Sequence, residues 1–596
     1  MSLEKFFRLE LDYLRELGKE IATEKPHLAN FLSEKSADPD VERLLEGFAF
    51  LSGNLRAKIE DQFPEFTHSL INMLWPNYLR PTPSMTIVEF YPNTKVTQSE
   101  DIVEKGTKLL SIPLKTDESN ALRCQFRTCR DVWLNPFNLI DASVLNSNEK
   151  SIINIEFASN EGIRINDINF DKLRFYLAAD EYTNQQLYLW FSYYLDSAEL
   201  IVNNKRIALP GFYFSPVGFG KDDALIPYPK NSHSGYRILQ EYFCFPESFL
   251  FFDVAGVNRL EIDELVNNFT LSFIFSQPLS SDVQIKHSTF KLHCTPAINL
   301  FEHSSEPILL SGEKEEYSLR GSHSHPEWYE IFSIDKVFSY IKDKSNSTGT
   351  IRDSYRLYPA FESFEHQIEY QKERTVLYYK VRSKEALFHN GFDHYISFIR
   401  GDETQLLNID ESISVDLVCT NRDIPSYLRI GDLCVKTDEN PAVADFRNIT
   451  RPSIPLHPIL DGTLAWKLIS NASLNYLSLL EINALKEIIK TYDLPGWHSK
   501  RNARISQKKL DAIVSIETKP VDRLFKNISI RGLQSTLYIK QSEFNGEGEM
   551  FLFCTILSRF FSLYASVNSF HKLKVINVDN QESYEWPIQI GQHQLM

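Results

Sequence analysis

The stretch that organises the start of the chain runs from Ala37 to Met85 and reads ADPDVERLLEGFAFLSGNLRAKIEDQFPEFTHSLINMLWPNYLRPTPSM. Asp38 followed by Pro39 is a typical helix start, because Asp accepts a bond from a free backbone amide and Pro tolerates the first helical position. Apolar residues then recur every three or four positions at Val41, Leu44, Phe48, Leu51, Leu55 and Ile59. This spacing predicts an amphipathic helix of about six turns with one broad apolar face.

Two further helices are predicted around this one. The first covers roughly residues 3–23 and carries Leu14 and Leu17 on its apolar side. The third follows Pro64 and ends at Trp75, because the proline-rich run after it requires extended backbone. Residues 1–84 are therefore expected to form a helical arm. The pattern leaves open whether its apolar faces pack within the chain or against helices of another chain.

The chain changes character after this arm. From Thr86 it consists of short β-branched and aromatic runs such as TIVEFYP, LYLWFSYYL and FTLSFIFS, separated by turn residues. We expect a multi-domain α+β protein, in which the N-terminal helical arm is followed by predominantly antiparallel β domains and a C-terminal α+β domain. The predicted divisions are 1–84 for the arm, 85–310 and 311–438 for two β-rich domains, 439–497 for a proline-rich linker with a helical connector ended by Pro495-Gly496, and 498–596 for the last domain.

Composition narrows the possible functions. A formal charge of −16 opposes non-specific binding to nucleic acid, which depends on cations at phosphates. The first residues lack the apolar core of a secretory signal, and no apolar run is long enough to cross a bilayer, so a cytoplasmic protein is expected. Seven scattered cysteines are expected to be free, mostly buried thiols.

Few residues suggest chemistry. Glycine-rich phosphate loops, dinucleotide fingerprints, nucleophile elbows and HExxH motifs are absent from the sequence, and we predict no enzyme activity and no cofactor. Cys124 and Cys129 could suggest zinc, but their odd separation points them to opposite faces of a strand and no second pair follows. A basic run, with Lys500, Arg501, Arg504, Lys508 and Lys509, is interpreted as an exposed loop or a protein contact.

Two alternatives from other functional classes stay open at this point. One is a metal-dependent hydrolase using His323 and His325 with Glu327 or Glu330, although the loop-like sequence around them favours a solvated turn. The other is a carbohydrate-binding β module, which would need aromatic platforms on exposed strands.

Longer blocks of the sequence resemble one known family. The stretch ELDYLRELGKEIATEKPHLANFL and the Ala37 to Met85 segment are similar to the N-terminal signature of the TssF family, baseplate subunits of the bacterial type VI secretion system. Further similar blocks follow in the family's order: CQFRTCRDVWLNP, ALIPYPKNSHSGYRILQEYFCFPESFLFFDV, LHCTPAINLFEHSSEPI and LDGTLAWKLISNASLNYLSLLEINALKEII. The basic stretch HSKRNARISQKK and the loop near residues 342–353 differ from these blocks, so no family role is transferred to them.

The resemblance implies a structural role without catalysis. Family members join a second copy of themselves and one TssG in a wedge, which attaches to TssK and TssE and surrounds the VgrG spike. Such wedges support assembly of the contractile sheath, and they meet the membrane indirectly through the membrane complex. The resemblance further implies that helical bundles hold the wedge together. On that basis Leu14, Leu17, Val41, Leu44, Phe48, Leu51, Leu55, Ile59 and Trp75 are the candidate interface residues.

Overall fold

The computed structural model describes a large part of the chain. The described residues are 11, 43–44, 46–52, 71–72, 75–92, 101–115, 121–165, 168, 170, 173–228, 236–257, 265–310, 314–321, 325–343, 352–361, 377–386, 391–400, 411–440, 444–459, 481–525, 528–565 and 569–591. The chain divides into two compact units. Unit 1 comprises Met1–Leu79 with Ile459–Ala472, and unit 2 comprises Arg80–Pro458 with Ser473–Met596.

Strands are the commonest regular structure among the described residues. The first sixteen are β1 Met85–Pro92, β2 Asp101–Val103, β3 Lys108–Ser111, β4 Leu114–Lys115, β5 Ala121–Leu122, β6 Gln125–Thr128, β7 Val132–Leu134, β8 Asn138–Asn146, β9 Ser151–Arg164, β10 Arg174–Leu177, β11 Leu195–Val202, β12 Lys205–Ala208, β13 Tyr213–Pro216, β14 Phe251–Ala255, β15 Leu265–Phe275 and β16 Phe290–Lys291. The others are β17 Cys294–Ile298, β18 Phe301–Ser304, β19 Ile308–Leu310, β20 Tyr317–Leu319, β21 Glu330–Asp343, β22 Arg352–Tyr358, β23 Leu377–Glu385, β24 Phe392–Arg400, β25 Glu411–Thr420, β26 Leu433–Val435, β27 Ala444–Asn448, β28 Ile513–Phe525, β29 Ile528–Ile539, β30 Phe570–Asn577, β31 Ser583–Glu585 and β32 Gln589–Ile590.

The α-helices in the described part of unit 2 are fewer than the strands. They are α1 Glu181–Leu189, α2 Arg237–Cys244, α3 Ile482–Tyr492, α4 Leu494–His498, α5 Lys500–Asp511 and α6 Glu547–Tyr564. In unit 1, residues 43–44, 46–52 and 71–72 are helical, and a single 3-10 turn covers Pro76–Tyr78. The chain is thus a mixed α+β protein of several mostly antiparallel sheets, and the prediction is confirmed at this level.

A six-stranded sheet joins segments that are far apart in sequence. Its strand order is β26-β3-β6-β17-β1-β27. Phe90 on β1 lies opposite Phe446 on β27, with ring centroids 5.7 Å apart, and both pack into one buried cluster with Phe126. Strand β27 lies within residues 439–497, for which the sequence predicts a proline-rich linker with a helical connector. Alternating burial along β27 explains why it pairs, since every second residue faces the core.

Two other pairs of sheets each enclose a core. Sheet β18-β25-β21-β22, with β19 on β25, shares a buried cluster with sheet β20-β24-β23. Sheets β12-β11-β15-β9-β8 and β13-β14-β10-β16 enclose a second core that is rich in phenylalanine. There the ring centroid of Phe191 lies 4.7 Å from that of Phe214 and 5.3 Å from that of Phe275, and both ring pairs are edge to face. Such ring pairs add to the stability that burial itself provides.

The last sheet contains a parallel connection. Strands β28-β29-β30-β31 lie in this order, with β32 on β30, and β29 runs parallel to β30. Helix α6 is the crossover that a parallel pair requires. Its first turn packs on α1, where a Cβ added to Gly548 would lie 2.2 Å from the carbonyl oxygen of Gln185. Glycine at this position therefore permits the close approach of the two helices.

The local prediction for one aromatic run was wrong. The run LYLWFSYYL begins in α1 and continues as a single wider helical turn, Trp190–Tyr194, before β11 starts. The Asp180 side chain caps α1 by accepting a bond from the Thr183 amide, a signal that outweighs the strand preference of the aromatic residues. The connector helix α3 ends at Tyr492, shortly before the predicted stop at Pro495-Gly496, and these two residues lie in a separate short helix, α4, whose first turn tolerates proline.

Candidate protein-interaction surfaces

The predicted apolar stripe contains exposed side chains where the structure describes it. Leu44, Phe48 and Leu51 are 73%, 64% and 67% exposed. At about 100° per residue they fall within about 60° of one another around the helix, so they share one face. We name these three residues the apolar stripe. Leu14, Leu17, Val41, Leu55 and Ile59 lie outside the described residues.

Neighbouring positions show that this helix has two different sides. Ala49 is fully buried, whereas Gly47, two residues earlier, is exposed and a Cβ built on it would meet no atom within 4 Å. An open glycine beside exposed Leu and Phe leaves room for another backbone to approach closely. Sequence reasoning missed Phe50, which is 49% exposed on a different side of the same helix.

Trp75 differs from the stripe, although both were predicted as interface candidates. Its side chain is 8% exposed, and its amide donates a 2.6 Å bond to the Ile71 carbonyl at the end of the last helical residues of unit 1. The structure therefore does not bring Trp75 to the surface with Leu44, Phe48 and Leu51. Its burial is explained by the local turn, because Pro76 starts the 3-10 segment directly after it.

The residues of the hydrolase alternative point to different partners. The ring of His325 stacks on that of Trp328, with centroids 3.8 Å apart, and its Nδ1 lies 3.2 Å from Oε1 of Glu327. His323 falls outside the described residues. Glu330 bonds His457 instead, with Nδ1 and Oε1 2.9 Å apart. Across the described ranges, no group of three or more His, Cys, Asp or Glu side chains is placed to hold a metal ion.

The Glu330 and His457 pair connects strand β21 to the segment after β27. The Glu330 side chain is 2% exposed, that of His457 is 19% exposed, and Asp423 lies 3.8 Å from the other imidazole nitrogen. The bond to Glu330 raises the pKa of His457 and outweighs the burial that opposes protonation. Gly391, with a φ of 109°, packs on Glu330 where a side chain would collide. This is a structural ion pair that fixes two distant segments.

The two cysteines considered for zinc are buried thiols. Burial raises the pKa of Cys124 and of Cys129 to about 12, which favours the neutral thiol over the thiolate that zinc binds. All seven cysteines are free, but Cys434 is exposed, so the expectation of burial holds for most of them and is wrong for this one.

The carbohydrate-module alternative lacks a platform in the described part of the chain. The most exposed aromatic side chains there are Phe48, Tyr193, Tyr213, Tyr427, Trp497, Phe50 and Phe361. Tyr213 on β13 is the one member of this set that lies in a strand. A cavity of about 10 Å³ lies within the phenylalanine core. It has room for about one water molecule, and its lining is apolar. Neither feature would hold a sugar.

The basic run forms a helix, and the prediction of a loop was wrong. Lys500, Arg501, Arg504 and Lys508 are exposed on α5. Lys509 instead turns inward, where its ammonium lies 2.7 Å from Glu549, whose side chain is 5% exposed. No helix within the described ranges is long and apolar enough to cross a membrane.

These features describe a large multi-sheet protein with an exposed apolar helix face, and such a face is typical of surfaces that bind other proteins. A family model described as type VI secretion system, TssF, matches residues 1–593. The chain therefore belongs to the TssF family, and the resemblance seen in the sequence is confirmed.

Similar proteins come from two further comparisons. The type VI secretion system component TssF1 of Pseudomonas aeruginosa is 29% identical over 632 residues, covering 99% of this chain and 98% of that protein. A chain in a cryo-electron microscopy structure of the type VI secretion TssK-TssF-TssG baseplate subcomplex is 28% identical, with a TM-score of 0.76 over 92% of this chain and 98% of that chain. A chain in a structure of the type VI secretion baseplate complex is 27% identical, with a TM-score of 0.65 over the full length of both. None of these descriptions names an enzyme.

Proposed function

We propose that this chain is a structural, non-catalytic subunit of the type VI secretion baseplate wedge. The family match over almost the entire length supports this role, as does the similarity to a chain of a TssK-TssF-TssG subcomplex. The observation that carries the proposal is the apolar stripe, because three large apolar side chains on one helix face are typical of a helix that packs against a partner.

The stripe docks on helices of a TssG-like protein and of a second copy of this chain. Burying each stripe residue would contribute about 1–2 kcal/mol, from the usual value for a fully buried Leu or Phe scaled by its present exposure. Gly47 lets the partner helix approach closely. The predicted helical arm, residues 1–84, is thus the element that holds the wedge together.

The other contacts follow the family's assembly. The wedge joins TssK and TssE, surrounds a VgrG spike and supports the contractile sheath in the cytoplasm, docked at the inner-membrane complex. A change in that complex passes to the sheath as a shift in subunit packing. The predicted divisions 85–310, 311–438, 439–497 and 498–596 serve as the working division of the remaining chain, and the third contains the strand Ala444–Asn448.

The test is co-expression with the neighbouring TssG-like protein, followed by light-scattering mass measurement on a sizing column. We expect a complex of two of these chains with one partner. Replacing Phe48 and Leu51 together by Glu places two charges in the proposed interface, where an unpaired charge is strongly unfavourable. The double variant should elute without the partner.

The matched control replaces Leu309 and Ile454 by Glu, since these unit 2 side chains are 71% and 73% exposed. The control should assemble like the parent, and circular dichroism should show the same strand content in all three proteins. Normal assembly of the Phe48 and Leu51 variant would refute the shared helical interface. A parent that stays monomeric beside its partner would refute the wedge role itself.

A further inference from the structure

The exposed side of helix α5 carries an unusual concentration of positive charge. Lys500, Arg501, Arg504 and Lys508 fall within about 100° around the helix axis, at 3.6 residues per turn, while the buried Leu510 lies on the opposite side. We name these four residues the basic ridge. Its cations extend from Lys500 to Lys508, eight steps along the helix or about 12 Å at 1.5 Å per residue.

Little negative charge from the rest of the described chain offsets the positive charge of the basic ridge. The one ion pair found for it among the described residues joins Lys508 to Glu543 at 3.9 Å, and these side chains are 67% and 36% exposed. Asp511 lies near the end of the ridge but accepts a 2.9 Å bond from Gln507. Residues 500–531 contain nine Lys or Arg and three Asp or Glu, in a chain whose formal charge is −16. The sign of the charge is therefore locally reversed.

This arrangement is unfavourable for the isolated helix. Lys500 and Arg501 stand in the first turn, where the helix dipole favours anions, and Ser499 makes no capping bond through its side chain. Lys500, Arg504 and Lys508 also repel one another at successive spacings of four. Helices that violate such local rules are expected at functional positions, where a partner offsets the cost.

Contacts on the buried side of helix α5 hold the basic ridge in a fixed orientation. Lys509 forms its buried pair with Glu549 on α6 and contacts the ring of Tyr242 on α2 at 5.4 Å. Leu510 is 4% exposed and anchors the end of the helix. The four outward cations are thus presented on a rigid support, which reduces the entropy lost when they bind.

We propose that the basic ridge is a docking surface for an acidic segment of a partner protein, a helix or strand with carboxylates spaced over about 12 Å. Charge complementarity selects this occupant. A lipid surface fits less well, because insertion needs large apolar side chains between the cations and Ile505 lies at the flank. Nucleic acid fits less well too, because helix α5 itself carries no aromatic side chain between the cations on which bases could stack. The proposal does not depend on the wedge role.

The test measures binding of the full chain to three fluorescent probes by anisotropy or co-sedimentation. The first probe is a 16-residue Ala/Gln peptide with Glu at every fourth position, and its Glu-to-Gln form is the blank. The second is a phosphatidylglycerol vesicle, and the third is a 16-nucleotide oligothymidine. We expect the Glu peptide to bind most tightly and to weaken as salt increases, as contacts between exposed charges do.

Two variants assign the binding to the ridge. Changing all four ridge residues to Glu should weaken peptide binding at least tenfold, while K500R with K508R, which keeps the charge, should bind normally. The matched control changes Lys150, Lys205, Arg206 and Lys221 to Glu, since these exposed residues lie elsewhere in unit 2 and give the same change of net charge. Circular dichroism checks that every variant folds.

Each result bears on the proposal directly. Loss of peptide binding in the ridge variant, with binding kept in the control, supports it. Equal loss in both variants would mean that net charge alone matters and would overturn it. Failure of the folded parent to bind the peptide, or ridge-dependent binding that is tighter to vesicles or oligothymidine, would overturn it as well.

Discussion

Replacing Gly548 by Ala should loosen the packing of helix α6 on helix α1. The added Cβ would lie 2.2 Å from the Gln185 carbonyl oxygen, 2.3 Å from its carbonyl carbon and 2.6 Å from the Gln186 amide nitrogen. All three atoms belong to the backbone of α1, so a rotamer change cannot relieve the overlap. Ordinary contact begins near 3.4 Å, and the two helices must therefore separate by about 1 Å at this point.

The cost follows from the rigidity of the obstacle. Inserting one carbon into a packed core typically costs about 1–3 kcal/mol, and a backbone obstacle places this case at the upper end. The better helix propensity of Ala returns at most about 1 kcal/mol. The net loss of about 2 kcal/mol should raise the local opening equilibrium of the contact roughly 30-fold.

Hydrogen–deuterium exchange with mass spectrometry measures this local opening. Peptides from α1 and α6 should exchange faster in the variant, while the phenylalanine core around Phe191 keeps its protection. Gly47→Ala is the matched control, because its added Cβ meets nothing within 4 Å. That control should leave α1 and α6 unchanged and stabilise its own helix by up to about 1 kcal/mol. Unaltered protection of α1 and α6 in Gly548→Ala would refute the close-packing argument.

Two further predictions concern buried charges. Because folding raises the pKa of His457, the pair with Glu330 contributes fully below about pH 6.5, and its contribution is lost as the pH rises through the folded value. The parent should therefore lose more stability than His457→Gln between about pH 6 and 8 in urea unfolding, and parallel pH profiles would contradict this. Lys509→Met should cost about 3–5 kcal/mol because it leaves Glu549 buried without its cation, whereas the exposed Lys508→Met should cost at most about 0.5 kcal/mol. Similar unfolding midpoints for these two variants would contradict the second prediction.

The sequence predicts well the elements whose own apolar pattern fixes them. Helix α6 and strands β29 and β30 agree with the expected α+β character of residues 498–596, because each carries a run of apolar residues. The exposed stripe residues were predicted by the same periodicity. An apolar face indicates burial against something, but the pattern does not identify the partner that covers it.

The predictions fail where composition and context disagree. The aromatic run LYLWFSYYL suits a strand, yet the Asp180 cap and the polar residues after it start a helix that continues through it. Helix α5 was missed for the opposite reason, since in this helix Leu510 alone is fully buried and apolar periodicity is almost absent. The order of strands in the sheets could not be predicted from the sequence, because Phe90 and Phe446 pair although they are far apart along the chain.

The two proposed surfaces would bind their partners through different forces, so the salt concentration should distinguish them. The apolar stripe would hold its partner through burial of Leu44, Phe48 and Leu51, a force that salt does not screen. The basic ridge would act through exposed cations, whose attraction is screened within about 8 Å at physiological ionic strength. Raising the salt concentration should therefore release a partner bound at α5 while the complex held by the helical arm stays intact.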